Sequence, residues 1–429
     1  MTGRPKRILL ATIGSLGDLH PCLALAIALR DRGYQPYLAS TEVYRTKVEA
    51  LGFEFHPLRP NFSTVDPALL RKVVDLRRGP EFLICQLILP ALKDTYDDLA
   101  AAANGADLFL TGEIIFAAPL VAEKSGIPWV SEILSPFSFF SEYDPPVSPF
   151  APGVTFLDGS TRLLNRAMLK VARLATWRWG EPIRRLRKEL GLNRGRNPLF
   201  EDKFSTDLTL ALFSPEIARC QPDWPPRTVQ AGYVFYDQDE AQSGLTPELE
   251  AFLRSGEAPI VFTLGSSAVH DPQGFFDASV GAANALNKRA IFLIGDNPQP
   301  AGLSSKSIAV PYAPYSQIFP KASVVVHSGG SGTTAQVLRA GKPGLTMPCG
   351  FDQPDNAARL KRIGAGITLF RNRYNAKTAA RDLDKLLNDP SYAANAARIG
   401  RTLQAEDGVG KACDAIERLL SDQPVNRTG

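Results

Sequence analysis

The sequence predicts an α/β chain of two Rossmann-like, doubly wound parallel-sheet domains, and three observations carry that prediction. Short apolar, β-branched runs alternate with helical patterns through both halves, the signature of parallel strands covered by helices. The 429 residues exceed one ordinary core and suggest two domains of about 200 residues each. The polar, glycine-terminated stretch Tyr236–Gly244 reads as a linker, placing the domains at 1–235 and 245–429, with the last helix able to pack back on the first domain.

Composition narrows the function classes. A hydrophobic share of 44% with a net charge of only +4 describes a soluble globular chain and does not suggest a nucleic-acid partner. Five scattered cysteines, Cys22, Cys85, Cys220, Cys349 and Cys413, are odd in number and lack CxxC spacing, as expected of a reduced cytoplasmic protein. The basic residues before Ile8 could be taken for a signal peptide, but the apolar run is short and passes straight into Gly14-Ser15-Leu16-Gly17. A first strand is the expectation, and no stretch has the apolar length of a membrane span.

In order, the first half reads as a strand at Arg7–Ile13, a tight turn at Gly14–Gly17 and an amphipathic helix from Leu19 to Arg32. Strands follow at Gln35–Ala39, Phe53–Pro57, Asp107–Leu110 and Trp129–Ile133, with helices at Glu42–Leu51, Gly79–Ala103 and Ile115–Ser125. Ser135–Gly159, dense in proline and aromatics, breaks the rhythm; a basic helical stretch, Thr161–Leu190, and strands at Leu208–Phe213 and Thr228–Ala231 close the half. The second half repeats the alternation with strands at Ile260–Leu264, Ala290–Leu293, Ser307–Val310, Ser323–Val326 and Gly344–Met347. Helices from Ala376 to Leu420 and a polar tail that frays end the chain.

One stretch, Ala322 to Asn356, organises the functional reading. A β-branched strand ends at His327; Ser328, Gly329, Gly330, Ser331 and Gly332 form a turn; and a helix runs from Thr333 to Ala340 before Gly341 and Pro343. Glycines let backbone N–H groups approach a ligand, and a helix N-terminus favours negative charge, so the implied ligand is a phosphate. A Walker loop needs a lysine after its last glycine, where Thr333 and Thr334 stand, and a dinucleotide fingerprint needs G-x-G-x-x-G. Gly14–Gly17 lacks the third glycine as well.

The run His327, Gly329, Gly330, Gly332, Thr333, Thr334, Ala335, followed by Asp352 and Gln353, resembles the donor motif of GT-B-fold glycosyltransferases that use UDP- or TDP-sugars. GSLGDLHP after the first strand resembles the G-x-x-G-D-x-x-P turn of the branch containing sterol glucosyltransferases, glycopeptide glycosyltransferases and the rhamnolipid rhamnosyltransferase chain. The resemblance spans essentially the whole chain and implies that Asp18 is the catalytic base; an N-cap is the bland alternative. His20 competes for that role because an imidazole titrates near neutrality. Glu113, just past a strand end, stands where relatives carry an orienting acid, although beside Asp18 a second carboxylate is repelled unless protonated.

The same resemblance places the donor against Gly17, the T-x-G-S-like turn Gly265, Ser266 and Ser267, the pair Tyr312 and Ala313, and the motif itself. Tyr312, in place of the usual tryptophan, would stack on uracil or thymine. His327 would donate to a phosphate oxygen, Ser331 to Thr334 would add hydroxyls and N–H groups, and Asp352 and Gln353 would bind sugar hydroxyls. Phe137, Phe139, Phe140, Tyr143 and Phe150 cluster where an acceptor pocket would form and suit an apolar or aromatic alcohol, or else make a loop packed on itself. The basic stretch carrying Arg162, Arg166, Lys170 and Arg173 beside Leu163, Leu164 and Met168 is a packed surface helix or a peripheral contact with an anionic membrane. Asp237-Gln238-Asp239 imitates a metal-binding D-x-D but lies in the linker among polar residues.

The expected function is therefore inverting, metal-independent transfer of a hexose to a hydroxyl, with the nucleotide sugar as co-substrate and no bound cofactor. Alternatives are a nucleotide-sugar epimerase or hydrolase of the same fold, and a non-catalytic nucleotide-sugar-binding partner.

Overall fold

The computed structural model describes residues 4–61, 66–147, 161–237 and 244–422. Phe150, Gln238, Asp239 and the polar tail lie outside them. A seven-stranded parallel sheet is built from β1 (Arg7–Ala11), β2 (Gln35–Ser40), β3 (Phe55–Pro57), β4 (Leu108–Gly112), β5 (Trp129–Ile133), β6 (Leu208–Ala211) and β7 (Thr228–Gln230). Its order is β3-β2-β1-β4-β5-β6-β7. A six-stranded parallel sheet follows, from β8 (Ile260–Phe262), β9 (Ala290–Leu293), β10 (Ser307–Val310), β11 (Val324–His327), β12 (Gly344–Thr346) and β13 (Gly366–Thr368), in the order β10-β9-β8-β11-β12-β13. Each order reverses direction once, between β1 and β4 in the first sheet and between β8 and β11 in the second. Loops leaving strands on either side of such a reversal diverge and open a crevice at the carboxyl edge.

The strands are nearly continuous apolar runs because both faces are covered. Ile8 and Leu10 pack under one layer of helices while Leu9 and Ala11 face the other. The second sheet divides likewise, with Phe262 and Phe292 on one face and Val261 and Ile291 on the other.

Departures from the expected elements have local causes. The single helix expected over Gly79–Ala103 is a short turn, a π-helical stretch Phe82–Ile88, a 3-10 turn Leu89–Ala91 and a regular helix only from Leu92 to Ala103. Pro90 supplies no N–H to an α-helical ladder. A helix at Pro67–Val73, capped by Asp66, and the three-residue strand β13 were not anticipated. Thr161–Leu190 resolves into helices Arg162–Ala175 and Glu181–Glu189 around the turn Trp177–Gly180.

Two features join the halves. The final helix, Gly408–Ser421, buries Ala412, Cys413, Ile416 and Leu420 in the same core as Leu19, Leu23 and Leu38, and Arg32 bridges Asp414 and Glu417 at 2.7 and 2.8 Å. A separate core runs between the domains, packing Ile133, Phe139, Phe213 and Trp224 with Leu338, Leu360, Ile399 and Leu403. The outgoing chain at Tyr233 and the returning chain at Gly408 touch: a Cβ at Gly408 would lie 2.2 Å from the Tyr233 carbonyl oxygen.

Candidate active site

β1 delivers the chain to Gly14, whose φ of 143° belongs to glycine and whose Cβ, if present, would lie 2.4 Å from Asp18 Oδ2. Ser15 caps the helix Leu16–Asp31 and Asp18 is its third residue, together forming a reciprocal capping box. Asp18 Oδ2 accepts from Ser15 N–H at 2.8 Å and Ser15 Oγ at 3.1 Å, while Oδ1 takes no hydrogen bond among the described residues. The N-cap is thus Ser15 rather than Asp18, and a single Asp18 oxygen helps to fix the helix start. Burial pushes the Asp18 carboxyl up to about 6, against the two Ser15 bonds, and the charges of Asp352 and Glu113 add to the rise. Gly17 is exposed at the helix start, its N–H donating to Ser15 Oγ at 3.1 Å.

His20 is two residues further along the helix and therefore on a different face from Asp18. Its ring lies 4.9 Å from that of Tyr236. Glu113 follows β4 on the other side of the reversal. Its Oε2 pairs with the buried Lys203 at 3.0 Å and its Oε1 accepts from Ser138 Oγ at 2.7 Å. The Lys203 ammonium offsets the repulsion expected between the carboxylates of Asp18 and Glu113.

Glu132, which the sequence reading did not single out, lies within β5 and is 1% exposed. Its Oε1 accepts from Cys22 Sγ at 3.3 Å, Oε2 has no hydrogen-bond partner among the described residues, and burial raises its carboxyl to about 8, with Asp18 and Glu113 adding to the rise. An acid inside the run Trp-Val-Ser-Glu-Ile was the available signal.

The second domain answers across the cleft. The turn after β8 puts Gly265 at φ 74°, its absent Cβ 3.2 Å from Thr333 Oγ1, and Ser328 Oγ donates to the Leu264 carbonyl at 2.9 Å, so this turn and the glycine turn after β11 brace each other. Ser266 is exposed; the side chain of Ser267 is outside the described residues. Gly329 has φ 90°, and a Cβ there would meet Thr346 Cγ2 at 2.7 Å and the Gln353 carbonyl oxygen at 3.1 Å.

Gly330 caps the helix Ser331–Arg339 without a side chain, leaving its first N–H groups without side-chain capping, and a Cβ on Gly330 or Gly332 would meet nothing. Unpaired N–H groups at a helix start favour negative charge. Thr334 is buried and Thr333 half-buried.

His327 departs from its expected role. The ring is fully buried; Nδ1 accepts the Gly329 N–H at 3.1 Å; and Nε2, without a hydrogen-bond partner among the described residues, lies beside Gly344. Burial lowers its pKa to about 4, so the ring is neutral and orders the turn from behind. Tyr312, after β10, is 55% exposed, whereas Ala313 is buried in the core.

Asp352 occupies the N-cap position of the helix Gln353–Arg362 but makes no capping bond. Instead its Oδ2 accepts from Ser331 Oγ at 2.7 Å and Asn356 Nδ2 at 2.8 Å. Burial raises its carboxyl above the usual range, opposed by those two donors and aided by Glu113. Phe351, immediately before it, is held at φ 56°, a conformation costing about 1–3 kcal/mol for such a residue. Gln353 explains how that turn persists: its Oε1 accepts both Cys349 N–H at 2.8 Å and Gly350 N–H at 3.2 Å. Asn356, also missed in the sequence, is the hub of this corner.

The aromatic stretch divides. Phe139 is 6% exposed and stacks on Trp224 at 3.9 Å and Phe204 at 5.4 Å, so it belongs to the interdomain core rather than lining a pocket. Phe137 and Phe140 form a half-buried edge-to-face pair at 5.4 Å, and Tyr143 is exposed beneath Arg162. Next to them the loop is pinned to the other domain: Asp144 meets Arg362 at 2.8 Å and the buried Arg359, which also holds Asp355 at 2.7 Å. No cluster of three metal-ligating side chains occurs among the described residues. Asp237 instead pairs with Arg339 at 2.6 Å.

Two doubly wound domains whose reversal points face each other, one presenting a carboxylate and the other an uncapped helix behind a glycine turn, define the GT-B class of glycosyltransferase. Residues 8–130 match the glycosyltransferase family 28 N-terminal domain, and residues 291–410 match the C-terminal domain of the erythromycin biosynthesis protein CIII-like family. The O-mycaminosyltylonolide 6-deoxyallosyltransferase of Streptomyces fradiae is 33% identical across 98% of this chain and 99% of its own. The vancomycin aglycone glucosyltransferase of Amycolatopsis orientalis is 28% identical across 84% and 85%. A spinosyn rhamnosyltransferase solved with thymidine diphosphate superposes with a TM-score of 0.63 at 19% identity, covering 96% of this chain and 100% of that one. The chain belongs to the GT-B glycosyltransferases of the family 28 and erythromycin CIII-like group, and it is a glycosyltransferase enzyme.

Proposed function

We propose that this enzyme transfers a hexose, with inversion and without a metal, from a UDP- or TDP-sugar to a hydroxyl of an apolar or aromatic small-molecule or lipid acceptor. The observation that carries the reading is that Asp18, after β1, and the uncapped helix start at Ser331, after β11, both stand at the carboxyl edge of their sheets where the strand order reverses. Asp18 Oδ1 takes the acceptor proton as the hydroxyl oxygen bonds to C1 of the sugar. The C1–oxygen bond to the diphosphate breaks on the opposite face, and its electron pair leaves with the diphosphate. The N–H groups of Ser331, Gly332 and Thr333 meet that negative charge, Asp352 holds sugar hydroxyls, and Tyr312 stacks on the base. A base titrating near 6 is ionised at neutral pH yet still accepts a proton well.

The acceptor side is supported by Phe137, Phe140 and Tyr143, and by relatives whose names specify O-mycaminosyltylonolide and vancomycin aglycone as acceptors. Incubating UDP- and TDP-hexoses with a panel of polyketide, phenolic and sterol alcohols tests the reading. Mass spectrometry should show addition of one hexose, and the anomeric coupling constant should report inversion. Donor hydrolysis or epimerisation unaffected by any acceptor would favour the alternatives, and activity abolished by EDTA would remove the metal-independent mechanism.

A second reading concerns the helix Arg162–Ala175. Leu163 (78%), Val171 (66%) and Leu174 (76%) stand exposed on it, with Arg162, Arg166 and Lys170 along one flank. Exposed apolar side chains beside a cationic row suit peripheral contact with an anionic bilayer. Co-sedimentation with phosphatidylglycerol vesicles but not phosphatidylcholine vesicles, lost in Val171→Glu/Leu174→Glu, is the expected result; no difference between the vesicles would overturn it. No helix among the described residues is long and apolar enough to cross a membrane.

A further inference from the structure

Asn356 is 4% exposed in the first turn of the helix Gln353–Arg362, where asparagine is a poor helix former. Its side chain nevertheless has abundant partners. Nδ2 lies 2.8 Å from Asp352 Oδ2, 2.9 Å from the Gly329 carbonyl oxygen and 3.2 Å from Ser331 Oγ, and Oδ1 accepts from Ser135 Oγ at 3.3 Å. An amide has only two N–H donors, so the two nearest acceptors, a carboxylate and a backbone carbonyl, are the ones it satisfies. Those acceptors are the sugar-side carboxylate and the glycine turn on the diphosphate side. The fourth contact comes from the other domain, because Ser135 follows β5 at the acceptor-side strand edge.

We propose that Asn356 is a positioning residue for glycosyl transfer, setting Asp352 in fixed register with the phosphate turn and tying both to the acceptor-side domain through Ser135. The inference rests on the donor-binding reading of Asp352. An aliphatic side chain could fill the space but could not hold three separate chain segments by hydrogen bonds. Aspartate would set two carboxyl groups against each other where an N–H now meets a carboxylate. The expected signature lies in the sugar half of the donor rather than the nucleotide half.

The decisive experiment compares calorimetric Kd values for TDP and for intact TDP-glucose, and for UDP and UDP-glucose, in wild type, Asn356→Ala, Asn356→Asp and Ser135→Ala. Asn356→Ala should lose about tenfold of the sugar-dependent affinity while binding nucleoside diphosphate within about twofold of wild type. Its kcat should fall about 10- to 100-fold through misplacement of the sugar. Asn356→Asp should be worse at pH 8 than at pH 5.5, and Ser135→Ala should affect kcat more than Kd. An unchanged sugar-dependent affinity in Asn356→Ala would overturn the proposal, as would equal losses for nucleotide and nucleotide sugar, which would mark a residue that only holds the fold. Failure of wild type to bind any nucleoside diphosphate would sink the donor reading itself, a result distinct from normal wild-type binding with an unresponsive variant.

Discussion

At the scale of single residues, the site depends on carboxyl groups whose surroundings make them weak acids. Asp18→Asn can still accept from Ser15 but cannot take a proton, so turnover should fall by about 10²- to 10⁴-fold with nucleotide affinity little changed. In wild type, kcat should rise with pH through a midpoint near 6. Stopped assays over pH 5 to 8, alongside thermal melts of the variant, check both; His20→Ala is the companion, and abolished turnover there with an active Asp18→Asn would move the base to His20. Glu132 makes a separate prediction because its raised pKa is a statement about stability. The folded protein holds a proton that the unfolded chain has released between the ordinary carboxyl range and about 8. Stability is therefore greatest below that window and declines through it, by about 1.4 kcal/mol per pH unit. Glu132→Gln removes the titration, so urea midpoints of the variant should lose that decline and exceed wild type at pH 8. A parallel pH dependence in both proteins would refute the assignment.

At the scale of elements, the turns matter more than the strands. Gly329→Ala forces a Cβ against Thr346 and the Gln353 carbonyl at positive φ. Nucleotide affinity should drop while the distant Asp18 turn stays intact, and calorimetry with TDP reports the loss. Arg359, buried between Asp355 and Asp144, should be costly to remove: Arg359→Ala leaves two carboxylates facing the interdomain core and is expected to destabilise by about 3–5 kcal/mol in chemical denaturation. Such elements were unequally legible in the sequence. Strands Trp129–Ile133, Ala290–Leu293 and Ser307–Val310 were readable to the residue because each is a short run with β-branched or aromatic residues bounded by turn or charged residues. β13, three residues between glycine-rich and aromatic flanks, gave too short a pattern. The glycine turns were readable because backbone requirements are local. Lys203 and Ser138 reach the site from other parts of the chain, and no spacing rule links them to Glu113; Asn356 stands one helical turn after Asp352, a spacing that was in the sequence but is ordinary for any helix. Phe139 shows the limit of composition, since clustered aromatics do not reveal which ring turns inward. His327 shows the same for polar groups: its place beside the glycines was legible, but the direction of its ring was set by packing against Gly344.

At the scale of the whole molecule, the last helix belongs structurally to the first domain. Ile416 is fully buried among residues of that core, and Ile416→Ala should cost about 2–5 kcal/mol and destabilise the Asp18 side although the residue is distant in sequence. Hydrogen exchange should show the loss in β1 and β2 rather than in β8 to β13. The chain therefore passes between domains twice, and the two passages meet where Gly408 lies under the Tyr233 carbonyl. Two strands of covalent chain anchored at one point make a pivot: the domains can rotate about it, but sliding or separation would tear the outgoing and returning segments apart. The Ser135–Asn356 and Arg71–Asp271 contacts also cross between the domains, as does the core around Phe139 and Leu338, so any rotation that opens the cleft must break them. A methyl group at Gly408 would wedge this pivot. Small-angle scattering of Gly408→Ala should show a larger radius of gyration that TDP no longer reduces, although no residue in the cleft has been changed.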